Sequence, residues 1–366
     1  MTNVRQRIHF CTAPDGVRLA HATAGDGPPL VRVSTYMTHL EYDWDSPVWR
    51  HWLGDLSRHH TLIRYDQRGC GLSDRNVADF SIEAWVRDLE TVVDSLGLER
   101  FALLGPSQGG AVAIAYANRH PHRVSHLILY GAYLQGRFRR APSPADLREG
   151  QALIDLMRAG WGRDNPAFRQ VFSTLFMPEG SPEQIGWFNE LQRLSTSPEN
   201  AARIERTVYG IDVRDLAPKV RVPAMVLHAR GDAMIPFEEG RRLAAMIPGA
   251  RFVPLVSNNH LLLADEPAWR DFLTAVEGFL EERGDASPRP ETGTRPALFD
   301  TLTPREWDVL EEMARGFDNG QIAERLGIRA KTVRNHVSNI YDKLRVSTRA
   351  RAVIAAREAG LGRGER

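Results

Sequence analysis

Cysteine is scarce in this chain: Cys11 and Cys70 are the two among 366 residues. They stand far apart and in no metal-ligand spacing, which excludes a disulfide-stapled scaffold and a zinc site. Long apolar runs are missing as well. None approaches the ~20 residues of a membrane-spanning helix, and the opening "MTNVRQRIHFCTAPDG" lacks the apolar stretch of a secretory signal. No membrane partner is expected, and the cytoplasm is the default compartment. Net charge is almost absent, at +1. No motif implies a metal or other cofactor. What is present is ordinary globular composition, 42% hydrophobic and 25% charged, which argues against disorder. The length suits one large domain with a small one, or two of medium size.

The charge is unevenly placed. From Leu302 to Arg366 there are 13 basic and 9 acidic residues, so the preceding part carries a deficit of three. Between Arg325 and Arg351 the ratio is 8 basic to 1 acidic, Asp342. A basic end on a neutral chain suggests a polyanion partner there. A solvated basic face has the same composition, so the argument needs a helix pattern as well.

Short β-type runs recur through the first 255 residues. They are Ile8–Thr12, Val17–Ala22, Leu30–Val33, Leu62–Tyr65, Phe101–Leu104, His126–Tyr130, Ala224–Ala229 and Arg251–Pro254. Pro14–Gly16 is a turn signal between the first two. Helical patterns such as Ser81–Leu96 and Gly110–Arg119 separate the later runs. Alternating strands and helices predict an α/β fold with a mostly parallel sheet covered on both faces. Residues 134–215 break the rhythm. Their spacing is helical, prolines split them, and they hold Trp161, Phe168, Phe172, Phe176, Trp187 and Phe188. A helical insertion over the carboxyl edge of the sheet is expected, with most of these rings in its core and one or two facing a cavity. Residues 283–300 are rich in Pro, Gly and charge and read as a linker. The division is thus 1–282, linker 283–300, and a helical domain over 301–366.

Gly105-Pro106-Ser107-Gln108-Gly109 follows a strand and opens a helix. A nucleophile on such a sharp turn has strained backbone angles, and its neighbours two residues away must be tiny. The helix N-terminus adds partial positive charge where an oxyanion would form. A serine nucleophile needs a base, and the base needs an orienting acid. Asp232 follows the seventh strand and His260 the eighth. The order Ser107, Asp232, His260 matches that of α/β-hydrolases, and the segment from Ile8 to Leu280 resembles that superfamily. The loop "YDQRGCGLSD" (Tyr65–Asp74) is similar to one that braces the site in such proteins. One departure concerns the turn after the third strand, where the resemblance implies a His-Gly pair lending an N–H to the oxyanion hole. Here Ser34-Thr35-Tyr36 replaces it. Thr35 and Tyr36 still offer N–H groups, and Gln108 offers the second donor. Loss of one donor costs on the order of 10²–10³ in rate, so binding with slow turnover is the expectation. Cys70 reads as a small buried filler.

Near the end, Thr303-Pro304-Arg305-Glu306 is a capping box, and Gly316 can stop the helix that it starts. Asp318 with Gln321 caps a short helix burying Ile322, Ala323 and Leu326. A third helix runs from about Ala330 to Leu344, with Val333, Val337, Ile340 and Leu344 as its apolar stripe. Its opposite face carries Lys331, Asn335, Ser338, Asn339 and Asp342, flanked by Thr332 and Arg334. Polar side chains so placed suit entry into a DNA major groove. Arg329, Lys331 and Arg334 would engage phosphates, and Asn335 and Asn339 base edges. The whole segment closely resembles the LuxR-type helix-turn-helix. The residues that carry this include Leu302, Thr303, Arg305, Glu306, Gly316, Asn319, Ile322, Ala323, Ile328, Thr332, Val333, His336, Ile340, Lys343, Leu344 and Arg349. The resemblance implies an all-α four-helix domain that binds double-stranded DNA. It adds Thr332 and Lys343 to the contacting residues. It also implies a homodimer, through the last helix from Arg349 to Ala359, and RNA polymerase as a further partner.

Two functions follow. One is a transcriptional regulator whose hydrolase-like domain senses a small apolar or acyl-type effector near Ser107. The other is a serine hydrolase of esters, lactones or similar acyl compounds. A combination, in which the domain slowly hydrolyses its own effector, joins them.

Overall fold

Each of the eight β-type runs forms a strand in the computed structural model, which describes residues 5–35, 37–140, 143–282, 302–326, 328–344, 346 and 348–358. The first two, β1 (Arg7–Thr12) and β2 (Arg18–Ala24), make a hairpin. Its turn closes where the Gly16 N–H donates to Ala13 O at 2.8 Å, with Gly16 at φ 87°. The chain then runs through β3 (Pro29–Arg32), the short helices α1 (Leu40–Trp44) and α2 (Arg50–Leu56), and β4 (Thr61–Tyr65). Next come α3 (Ile82–Ser95), β5 (Phe101–Pro106), α4 (Gly109–Arg119) and β6 (Val124–Tyr130).

After β6 the insertion forms four helices, α5 (Pro144–Gly160), α6 (Ala167–Phe176), α7 (Pro182–Ser195) and α8 (Pro198–Gly210). Its prolines divide it for a physical reason. Ser143, Ser181 and Ser197 accept from backbone N–H groups as N-caps, each followed by a proline in the first helical turn. Proline has no N–H to leave unsatisfied there. The sheet resumes with β7 (Ala224–Ala229), α9 (Phe237–Met246), β8 (Arg251–Leu255) and α10 (Pro267–Leu280).

The strand order is β1-β2-β4-β3-β5-β6-β7-β8. The β1–β2 and β2–β4 pairs are antiparallel, and all later pairs are parallel. Every residue of β5 and β7 is buried, as central strands covered on both faces require. This is the α/β-hydrolase fold, with its loops at the carboxyl ends of β5, β7 and β8 carrying Ser107, Asp232 and His260.

The chain divides into two compact units that part near residue 288. The linker assigned to 283–300 lies outside the described residues. The second unit contains α11 (Pro304–Arg315), α12 (Asn319–Leu326), α13 (Ala330–Leu344) and α14 (Arg349–Glu358). Thr303 and Glu306 form the expected capping box, and Gly316 ends α11 at φ 99°. Asp318 Oδ1 accepts from the N–H groups of Gly320 and Gln321, which starts α12. The core joins Val309, Leu310 and Met313 of α11 to Ile322, to Val333, Val337, Ile340 and Leu344 of α13, and to Ala352 and Ala356 of α14. No helix of the described residues is long and apolar enough to cross a membrane.

Candidate functional site

The turn from β5 into α4 holds Ser107 at φ 50°, the one non-glycine residue at positive φ among the described residues. A left-handed L-residue costs roughly 1–2 kcal/mol, so its surroundings must impose it. The Ser107 N–H donates to Tyr130 O at 2.8 Å. A Cβ on Gly105 would lie 2.8 Å from Ala113 Cβ and 2.9 Å from Gly110 Cα, and one on Gly110 2.5 Å from Ala132 Cβ. The small residues therefore let α4 sit against β5 and β6 tightly enough to force the bend.

His260 Nδ1 lies 2.7 Å from Asp232 Oδ2, and both side chains are buried. The other carboxylate oxygen of Asp232 accepts from the N–H groups of Met234 (2.9 Å) and Ile235 (2.8 Å). Burial pushes the Asp232 carboxyl up. The charge and hydrogen bond of His260, the nearby His228 and the Ile235 amide outweigh it, and the net shift is down. His228, unremarked in the sequence, braces this acid. It is fully buried, with Nε2 3.1 Å from Ile235 O and 3.6 Å from Asp232 Oδ2. Burial lowers its pKa, which favours the neutral ring. The His260 loop is held by three further bonds. Tyr130 OH donates to His260 O at 2.7 Å, Trp52 Nε1 to Leu262 O at 3.0 Å, and the His260 N–H to Phe176 O at 2.9 Å. The last of these ties the end of α6 to the base.

Ser107 and His260 line one cavity of about 450 Å³, counted with the solvent at its mouth. Its walls include Trp49, Trp52, Phe176 and Phe188, so two of the insertion's rings face the cavity. Trp161 and Phe172 pack in the core against each other. Thr35 and Gln108 also line the cavity. Tyr36, the other expected oxyanion donor, lies outside the described residues. A second hollow of about 430 Å³ shares Ser107, Gln108 and Phe176 and is lined by Tyr133, Arg140, Glu205 and Tyr209.

Sequence reasoning also missed Arg32, at the end of β3, which lines the first cavity. Its guanidinium stacks over the Trp49 ring, 4.7 Å from the centroid. Burial pulls its pKa down to about 10, with Asp43 acting in the opposite sense, so it remains cationic at neutral pH. The available signal was a charge between apolar residues in "LVRV".

The bracing loop after β4 is anchored by Arg68. Its Nε and Nη2 donate to the two oxygens of Asp88 at 2.8 and 2.6 Å, and Nη1 donates to Asp15 at 2.7 Å. Thr196 Oγ1 donates to Gly69 O at 2.6 Å, and the Gly71 N–H to Ser195 O at 2.7 Å, which fixes the loop to the insertion. Cys70 is fully buried, and burial raises its thiol far from the reactive range, consistent with a filler.

In the second unit, Arg329, Lys331, Arg334, Asn335, Ser338 and Asn339 are exposed on or beside α13, and Thr332 is half-buried. The charges of Arg329, Lys331 and Arg334 form no ion pair among the described residues. Lys343 differs. Its Nζ donates to the buried Glu306 Oε2 at 2.7 Å, which ties α13 to α11 while the lysine side chain stays about one-third exposed. Arg325 is likewise held by Glu312 at 2.7 Å, and Arg349 by Asn319 at 2.9 Å.

An eight-stranded sheet with a serine on a strained elbow and an acid–histidine pair at its carboxyl edge defines a hydrolase-class fold, here joined to a helix-turn-helix unit. The chain belongs to the alpha/beta hydrolase fold family, whose model matches residues 42–267. The model for bacterial regulatory proteins of the luxR family matches residues 300–356, and this domain marks a DNA-binding regulator. The 2-hydroxy-6-oxo-2,4-heptadienoate hydrolase of Pseudomonas putida is 28% identical over 302 residues, covering 76% of this chain and 99% of that protein. An esterase from Exiguobacterium antarcticum superposes with a TM-score of 0.62 at 25% identity, covering 74% of this chain and 98% of that one. A thermophilic esterase from Thermogutta terrifontis gives 0.60 at 26% identity, covering 75% and 98%.

Proposed function

We propose that this DNA-binding regulator senses a small acyl-type or apolar effector in the Ser107 cavity, and that occupancy changes how paired reader helices meet DNA. The carrying observation is the aromatic-lined cavity at the Ser107 elbow in a chain whose residues 300–356 also match the luxR-family model. Arg329, Lys331 and Arg334 are the phosphate contacts of this reading, and Asn335 and Asn339 the base contacts, because all five are exposed on or beside α13. Typical coupling of 1–3 kcal/mol would change DNA affinity by roughly 5–150-fold.

A second reading is favoured by the Asp232–His260 contact at 2.7 Å. In it the site hydrolyses the effector. Ser107 Oγ would attack the acyl carbon while His260 Nε2 takes its proton, and Asp232 would hold the imidazole by Nδ1. The backbone N–H of Gln108, with one from the turn after β3, would receive the oxyanion. The esterase and hydrolase activities in the relatives' names support acyl chemistry of this kind.

Ser107→Ala separates the readings. Gel-shift affinity and its response to acyl compounds should persist in the variant, while any ester hydrolysis by the native chain disappears. If the native chain cleaves no ester, the enzymatic reading falls. If no acyl or apolar compound alters DNA binding, the sensing reading falls.

A further inference from the structure

Among the described residues of the first unit, four arginines are buried to 3% exposure or less: Arg32, Arg64, Arg68 and Arg169. Burying a guanidinium is costly unless its donors are met. Three of them obey this rule. Arg64 donates to Asp43, Gln6 Oε1 and Leu40 O. Arg68 has Asp88 and Asp15. Arg169 donates to the carbonyls of Trp161, Arg163 and Asn189.

Arg32 is the exception. Among the described residues its guanidinium forms no hydrogen bond and no ion pair, and its Nε is buried without an acceptor. The acids of its neighbourhood, Asp43 and Asp66, make no bond to it: each uses Oδ2 elsewhere, and each Oδ1 is buried without a partner among the described residues. Asp43 Oδ2 lies on Arg64, and Asp66 Oδ2 accepts from the N–H groups of Leu40 and Leu72. Burial raises the carboxyls of both acids, Asp43 to about 7, which weakens their charge further. Trp49 holds the guanidinium by its face and leaves the N–H edge open. Gln108 Nε2, on the same cavity, is also buried without an acceptor.

We propose that the ligand of the Ser107 cavity is a small carboxylate, its anionic end held by Arg32 and its apolar body against Trp52, Phe176 and Phe188. A carboxylate supplies two acceptor oxygens in the geometry of the guanidinium fork. One cation in an apolar chamber suits one negative charge, and the aromatic walls suit a hydrocarbon body. This deepens the reading of that cavity as the effector site and rests on it.

The test uses the full chain and two probes of equal shape, 4-phenylbutyrate and 4-phenylbutyramide, titrated by calorimetry at pH 7.5. The native protein should prefer the carboxylate by about tenfold or more, which is about 1.4 kcal/mol. In Arg32→Met the preference should collapse, chiefly through loss of carboxylate affinity, and Arg32→Lys should restore part of it. Arg32→Met should keep or raise the thermal midpoint, because it removes an unpaired buried charge. Equal binding of both probes by the native protein overturns the carboxylate assignment while leaving the cavity reading intact. A preference that survives in Arg32→Met overturns the role of Arg32. If neither probe binds, the cavity reading falls and the inference with it. The native preference is informative even if the Met variant does not fold.

Discussion

At the scale of single residues, chemistry and stability pull against each other at Ser107. Its φ of 50° is strain that a glycine would not feel. Ser107→Gly should therefore raise the stability of the first unit by about 0.5–1 kcal/mol, measured by urea unfolding, while abolishing any ester cleavage. A loss of stability would mean that the serine side chain makes a contact outweighing the strain. Asp232 is the opposite case, since its charge is used by the fold itself. Its folded pKa is lowered. It thus contributes stability that is fully present above the ordinary carboxyl value of about 3.9 and lost as pH falls through the lower folded value. Asp232→Asn should flatten the acid limb of the stability profile below about pH 4. On the hydrolytic reading it should also cut kcat by about 10⁴ with little change in KM, because the imidazole loses its orienting acceptor. An unchanged acid limb would detach the carboxylate from the His260 network.

At the scale of elements, strands and reader helices were legible because their signals are local. All eight runs became strands within a residue or two; apolar and β-branched residues in the central β5 and β7 meet burial on both faces, while the edge strands β1 and β8 stay largely exposed or half-buried. The α13 stripe was equally plain, with Val333, Val337, Ile340 and Leu344 at helical spacing. Other elements lacked such marks. Helix α1 has five residues and takes His39 as its cap, and α2 has no side-chain cap. Arg32 and His228 escaped notice because their meaning lies in what surrounds them in space. Lys343 reads as a DNA contact from its place in the motif, and its pairing with Glu306, 37 residues away in sequence, shows only in the fold. That buried glutamate joins the cap of α11 to α13. Thr303→Ala should accordingly cost the second unit about 1 kcal/mol, and thermal unfolding of the full chain should report it as a lower midpoint for that unit. Within α13, Lys331→Ala should weaken binding to every DNA sequence and reduce the salt slope by about one. Asn335→Ala should instead relax sequence preference by about 1–3 kcal/mol at one base pair. Gel shifts over a salt series distinguish the two effects, and no change in either variant would remove α13 from the groove.

At the scale of the whole molecule, the sensing proposed above would require a ligand in the Ser107 cavity to change how α13 meets a duplex. A single reader helix presents few base contacts, and affinity at physiological salt generally comes from doubling them. Two chains on DNA would place their α13 helices in successive major grooves, about 34–36 Å apart. The footprint should therefore cover two half-sites separated by one helical turn. Inserting five base pairs between them should turn one half-site to the far side and reduce affinity to that of a single site. Effector would then act by changing how easily the pair forms or fits, and reciprocity requires that operator DNA change effector affinity by the same factor. Calorimetric titration of a bound acyl compound with and without the two-site duplex measures that factor directly. An effector affinity identical in both would mean that the two units share a chain without sharing a signal, even if each binds its own partner well.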